Sequence, residues 1–394
     1  MTIILPKYIV TCNKSFDILE NHGICFDEYI QDILPKDTIL QKYPNAQIIK
    51  TSDTLLPGLV NPHVHLEFSK TNNKLFFGDF IKWLSSILLN RDEIFANVTT
   101  KNMQQEIDKM LESGITTFGE VSSSGIDLEA CVNAKQRVVF FTEALGSNEN
   151  FIESCFEDFK TRFMKSEKFK NKKFIPATSI HSPYSTHKNL CKKVADFSKD
   201  KQVLISTHFL ESKAELEWLE TGKGDFSKFY DKFFPNATPS QNVNEFLKHF
   251  KDLHTLFLHN CLIRNEFKKT NQNHFFVHSP RSNRLLNNPL MDISKLSNFA
   301  LATDGLSSNT SLNMWDEMRF ALFSHFEEDL NTFSKKLLLS STKNGAKALG
   351  IKTGVIEKNY FSDFILLDTP STFDQDFITK IILNTTTVNR VFIN

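Results

Sequence analysis

Short apolar runs that each end on a polar, chemistry-bearing residue recur along the chain, and their order sets the expected fold. Residues 55–62 lead into His63 and His65, 174–180 into His181, 203–207 into His208, 255–258 into His259, 275–277 into His278, and 301–303 into Asp304. Two further runs, 115–118 ending near Glu120 and 138–142 ending at Glu143, bring the strand candidates to eight. Helical stretches at 97–111, 189–198 and 214–219 fall between them, as alternating βα units require. Ser212 and Glu215 are spaced as a capping box at the start of the last of these helices. The pattern predicts an α/β chain folded as a (β/α)8 TIM-type barrel. Such a barrel gathers its chemistry at the carboxyl ends of its strands, which is where the polar residues stand.

The chain has 394 residues, more than the roughly 250 of a typical barrel. The surplus lies at both ends, where residues 8–11, 354–357 and 363–368 read as short strands without helical periodicity. Neither end carries enough apolar surface for its own core. We therefore expect 1–54 and 348–394 to combine in one small β-sandwich, with the barrel spanning 55–347.

Charge narrows the partners. The 46 basic residues are balanced by 46 acidic ones and are scattered, so no electrostatic footprint for nucleic acid is present. Lysines thicken between Lys160 and Lys173, which reads as a solvated helix face. No run approaches the roughly 18 apolar residues of a membrane span, and the opening run is too short for a secretory signal. Cysteines at 12, 25, 131, 155, 191 and 261 form no Cys-x-x-Cys pair, which suits reduced thiols and a cytoplasmic protein. The 38 phenylalanines read as a coding bias.

His63-Val64-His65 on a strand turns both imidazoles to one face, because side chains alternate with period two. His208 is the expected third ligand and Asp304 the fourth, leaving an open position for water around one divalent ion. Such an ion can lower the pKa of bound water from about 16 to about 7. Glu211, three residues after His208, is placed to move protons between that water and a substrate ring nitrogen. Three imidazoles and a carboxylate suit zinc first, with iron second and manganese also compatible.

These motifs resemble the amidohydrolase superfamily, in particular its branch of adenosine-type deaminases and chlorohydrolase-like proteins. The resemblance rests on Leu56-Pro57-Gly58-Leu59-Val60-Asn61-Pro62-His63-Val64-His65, His181-Ser182-Pro183-Tyr184-Ser185, Thr207-His208-Phe209-Leu210-Glu211, Leu258-His259-Asn260 and His278-Ser279-Pro280-Arg281-Ser282-Asn283. It continues through Ala302-Thr303-Asp304-Gly305-Leu306-Ser307-Ser308-Asn309, Met314-Trp315-Asp316-Glu317-Met318-Arg319 and Gly354-Val355-Ile356-Glu357. It implies one metal on His63, His65, His208 and Asp304. Glu211, His259 and Asp304 are the implied catalytic residues, and His181 the implied substrate contact. A histidine stands where two-metal relatives carry a bridging lysine, so a single metal is implied.

The implied reaction is hydrolytic deamination of an aromatic amidine carbon. Glu211 protonates the ring nitrogen, Asp304 takes the remaining water proton and His259 stabilises the developing charge. The Pro-Cys-x-x-Cys signature of cytidine-type deaminases is absent. Residues 76–84 resemble a segment covering the substrate, with Phe77 and Trp83 available to stack on a purine, and 222–250 resemble a second lid. Within the family the wording is most similar to the deaminases that convert 6-amino-6-deoxyfutalosine to futalosine and ammonia in menaquinone biosynthesis. That purine nucleoside carries a benzoate, for which Arg281, Arg284 and Lys82 are the candidate cations, and Ser308 is a further candidate substrate contact. Competing readings are deamination of S-adenosylhomocysteine or methylthioadenosine, then guanine deamination or chlorotriazine hydrolysis, and, outside enzymes, a metal-stabilised binding protein. The resemblance also implies a homodimer, although no residues mark an interface.

Overall fold

A computed structural model of the chain describes residues 1–71, 74–232, 236–259, 262, 272–296 and 299–394. Asn260 and Cys261, and residues 233–235 of the expected second lid, lie outside these. The eight expected strands form one sheet in sequence order: Leu59–Val64, Ile115–Ser122, Arg137–Ala144, Phe174–Ile180, Ile205–His208, Thr255–Leu258, His274–His278 and Ala300–Leu301. From the third strand to the eighth the pairing is parallel throughout. The sheet curls into a nearly closed barrel, and a backbone hydrogen bond from Asp304 N to His63 O, 3.1 Å, joins the exit of the eighth strand to the first.

Strands covered on both faces are buried along their whole length rather than on alternate residues. Ile115–Ser122 and Arg137–Ala144 accordingly bury every residue, including Glu120 and Glu143. Helices occupy the crossovers, among them Phe80–Asn97, Thr100–Glu112, Ile152–Glu167, Lys188–Lys201 and Lys213–Thr221.

One reading needs correction. The run 55–62, expected to be a single barrel strand, is two strands in two sheets. Thr54–Pro57 pairs antiparallel with Phe364–Leu367, and only Leu59–Val64 enters the barrel. Gly58 makes the break, since a Cβ there would lie 2.0 Å from Thr116 Oγ1. Uniform apolarity marks burial and carries no label for which sheet does the burying.

The chain ends build the expected sandwich. A five-stranded sheet runs in the order Arg390–Phe392, Phe364–Leu367, Thr54–Pro57, Tyr8–Val10, Ile18–Glu20. A four-stranded one runs Ile30–Pro35, His22–Phe26, Thr2–Leu5, Gln47–Lys50. Ile9, Leu55, Phe364 and Leu366 of the first sheet pack with Ile4, Ile24 and Phe26 of the second in one core.

Residues group into two compact units: one holds Met1–Pro62, Ile107–Phe118 and Asn313–Asn394, the other His63–Glu106 and Gly119–Leu312. All of the candidate site residues belong to the second. Among the described residues no helix is long and apolar enough to cross a membrane.

Candidate active site

His63 is the fifth residue of the first barrel strand and His65 follows its end, with ring centroids 4.7 Å apart as period-two spacing requires. His208 ends the fifth strand, and its Nε2 lies 3.4 Å from His65 Nε2. Asp304 comes three residues after Leu301, its Oδ1 3.3 Å from His63 Nε2 and 3.8 Å from His65 Nε2. The four expected ligands therefore converge at the carboxyl ends of the strands.

Hydrogen bonding sets the tautomers. His65 Nδ1 donates to Val121 O at 2.9 Å and His208 Nδ1 donates to His181 O at 3.0 Å, which leaves a lone pair on each Nε2. Two such lone pairs facing each other at 3.4 Å repel unless a cation stands near both. His63 is fully buried, and neither ring nitrogen finds a hydrogen-bond partner among the described residues. Burial holds its imidazole down to about 3 and that of His208 well below the usual range, so both stay neutral, the form that ligates metal. These orphaned nitrogens fit a divalent cation.

Beside this cluster stand the proton-handling residues. His259 Nε2 is 3.4 Å from Asp304 Oδ2, and Nδ1 donates to Asn283 Oδ1 at 2.9 Å. Burial opposes charge on His259, but the Asp304 and Glu211 carboxylates and the Asn283 acceptor outweigh it and raise the imidazole to about 9. Burial likewise works against the Asp304 carboxylate, yet His259 and His63 hold it well below the usual carboxylate range. Ser282 Oγ donates to Asp304 Oδ2 at 2.9 Å, and Ser308 Oγ donates to the same oxygen. Glu211, 4.0 Å from His259 Nδ1, is pushed up to about 7 by burial, with His259 opposing.

The backbone at this rim is unusual. Leu210, His259 and Asp304 have φ of 53°, 53° and 59°, in the left-handed region that non-glycine residues rarely adopt. Gly305 lets the chain pass His65, since a Cβ there would lie 2.9 Å from His65 Cβ. At the helix start Ser212 Oγ accepts from Glu215 N as expected, but the Glu215 carboxylate accepts from Leu210 N at 2.9 Å and Glu211 N at 2.8 Å. Only half of the capping box forms, and the other half braces the loop carrying Glu211.

A mostly apolar cavity of about 760 Å³ opens above the cluster, with His65, His208, Glu211, His259 and Asp304 in its lining. His181 and Trp83 also line it, and Phe229 and Tyr230 reach it from the expected second lid. The remaining expectations fall elsewhere. Phe77 is 53% exposed and is not part of the lining. Arg281 hydrogen-bonds to Ser311 and Thr310, Arg284 is exposed, and Lys82 pairs with Asp79 outside the lining. Ser308 is fully buried behind the cluster on Asp304 and Ser282. His278, expected at the end of its strand, is buried, and Asn283 Nδ2 donates to its Nδ1 at 3.5 Å.

Sequence reasoning missed Ser282, Asn283 and Glu143. The first two lie in the quoted His278–Asn283 wording, but only the helix Pro280–Leu285 decides that they face inward while Arg281 does not. Glu143 was noted as a strand end. It is 2% exposed and lines the cavity, with Oε1 3.9 Å from His208 Nδ1.

Comparison with known proteins agrees with this geometry. The amidohydrolase family model matches residues 54–394. An aminodeoxyfutalosine deaminase of a Nitratiruptor species is 39% identical, covering 100% of this chain and 98% of the relative. An adenosine deaminase of Helicobacter pylori is 36% identical over 92% of this chain and 90% of the relative. The crystal structure of Helicobacter pylori aminofutalosine deaminase in complex with methylthio-coformycin superposes with a TM-score of 0.94 at 34% identity, covering 100% of this chain and 98% of that one. The chain belongs to the amidohydrolase family.

Proposed function

We propose that the chain is a metal-dependent hydrolytic deaminase that converts 6-amino-6-deoxyfutalosine to futalosine and ammonia, a step of menaquinone biosynthesis. The observation that carries this is Glu211, a proton-holding carboxyl beside the His259–Asp304 pair, at the floor of a cavity roomy enough for a substituted nucleoside. The likeness to the Nitratiruptor enzyme along the whole chain supports the choice of nucleoside.

His63, His65, His208 and Asp304 would hold the cation, which supplies a Lewis acid that brings water into the hydroxide range near neutral pH. Zinc is the proposed metal, with iron second. Glu211 is poised near neutrality and delivers a proton to the purine ring nitrogen next to the amino-bearing carbon. Asp304 stays ionised and can accept the proton of the attacking water, while Ser282 and Ser308 fix its orientation. His259, cationic between Asp304 and Asn283, stabilises negative charge developing on the attacking oxygen. His181, held through Nδ1 by Ser182 and Ser185, and Trp83 are the proposed substrate contacts. The thiols of Cys12, Cys25, Cys131, Cys155 and Cys191 are unpaired, which supports a cytoplasmic enzyme. We carry the homodimer over as its assembly.

The test is turnover of zinc-loaded protein with aminodeoxyfutalosine, followed by the ultraviolet change as adenine becomes hypoxanthine. Methylthioadenosine, S-adenosylhomocysteine, guanine and a chlorotriazine serve as alternatives. Aminodeoxyfutalosine should show the highest kcat/KM. Preference for guanine or the halogenated ring would overturn the nucleoside assignment. Glu211→Gln should retain metal and lose about 10²- to 10⁴-fold in kcat; unchanged turnover would remove Glu211 from the mechanism.

A further inference from the structure

The wall of the cavity is one face of the helix Phe80–Asn97, which contributes Trp83, Leu84, Ile87, Leu88 and Arg91. That is helical spacing, two neighbouring positions per turn closing on the arginine. Trp83 fixes one end of this face at the floor, because its Nε1 donates to Ser307 O at 2.9 Å, three residues beyond Asp304. Arg91 lies eight residues further along, about 12 Å at 1.5 Å per residue. The carboxyl groups that line the cavity are Glu143, Glu211 and Asp304. Glu211 is 4.0 Å from His259 and Asp304 3.3 Å from His63, while Glu143, 3.9 Å from His208, also feels the Arg91 charge without pairing with it: burial pushes its carboxyl up, and Arg162 and Arg91 oppose that.

Among the described residues Arg91 is the one lysine or arginine in the lining. It is half-buried, with Cζ 5.1 Å from the centroid of the Phe95 ring. No described residue gives it an ion pair or a hydrogen bond. The acids beside it in sequence do not neutralise it: adjacent helix positions do not face each other, and Glu93 is paired with Lys74. A guanidinium set beside an aromatic ring in the wall of a cavity is suited to take a carboxylate in bidentate fashion.

We propose that Arg91 is a specificity-determining residue that receives a carboxylate at the far end of the substrate's 5′ substituent. This rests on the nucleoside reading above and deepens it. With the purine on the floor beside Glu211 and the metal cluster, the ribose and its substituent rise along the helix face. They pass the apolar Ile87 and Leu88 before reaching the cation, and an aryl ring ending in a carboxylate presents those two chemistries in the same order.

The test compares aminodeoxyfutalosine with its benzoate methyl ester, which keeps the shape and removes the charge, on zinc-loaded wild type, Arg91→Met and Arg91→Lys. Wild type should favour the acid over the ester by about 10- to 100-fold in kcat/KM, the range of a charge-assisted hydrogen bond. Arg91→Met should abolish that preference by raising KM for the acid far more than for the ester, and Arg91→Lys should restore part of it. A preference that survives Arg91→Met, or an equal loss on acid and ester in correctly folded, metal-replete variants, overturns the role of Arg91 and leaves the deaminase standing. Wild type that turns over neither compound overturns the nucleoside reading and the role of Arg91 with it.

Discussion

Asp304 divides its carboxylate between two tasks: Oδ1 faces His63 and His65, while Oδ2 is held by two serine hydroxyls and approached by His259. Histidines and an aspartate at the ends of apolar runs were legible because strand ends of a barrel share one rim. Their supporters were not. Ser282 and Asn283 are neutral polar residues of ordinary kinds, and the positive φ at Leu210, His259 and Asp304 leaves no trace in residue type. Glu215 shows what such support does, since both carboxylate oxygens accept backbone amides from the loop that carries Glu211. Glu215→Gln converts one acceptor into a donor and should lower kcat about 10- to 100-fold through misplacement of Glu211. Metal analysis should show unchanged content; loss of metal in parallel with activity would assign Glu215 to the integrity of the ligand cluster.

At the scale of elements, the order of all eight barrel strands followed from the apolar runs, and the split at Gly58, which moves the start of the first, did not. A strand leaving one sheet for another needs no change of composition, only a residue without a side chain where the chains crowd. Gly58→Ala should therefore be overpacked against Thr116 and destabilise the protein by about 1–3 kcal/mol. Thermal denaturation of the double variant Gly58→Ala, Thr116→Ala should recover most of the loss. Additive destabilisation in the pair would mean that the contact is not the cause. The helix Pro280–Leu285 gives the complementary lesson: the motif was read correctly as a unit, and the turn of the helix alone decided which of its residues reach Asp304 and His259.

For the whole molecule, buried acids couple stability to pH. Burial and mutual repulsion raise Glu120 well above its usual range, and burial together with Glu67 raises Asp127 to about 7. The folded protein thus keeps protons that the unfolded chain releases above about pH 4, so this pair costs stability as pH rises towards 7, by about 1.4 kcal/mol per pH unit for each proton retained. Neutral His63 and His208 contribute the opposite sign, because the unfolded chain protonates them below about 6.5. The comparison is accordingly between variant and wild type: Glu120→Gln should gain relative stability between pH 5 and pH 7 in chemical denaturation, and a constant difference would show that Glu120 does not titrate in that window. Chelation should abolish turnover and lower the melting temperature, and zinc should restore both, because a ligand that binds only the folded state stabilises it by mass action.

The barrel's first and last strands meet through an amide of Asp304 and a carbonyl of His63, two residues that would also share the cation. Catalytic competence and mechanical closure of the rim are in that case a single event. Deuterium uptake at residues 299–304 should accelerate on demetallation ahead of the other strands, so that the emptied enzyme comes unzipped from its chemistry outward.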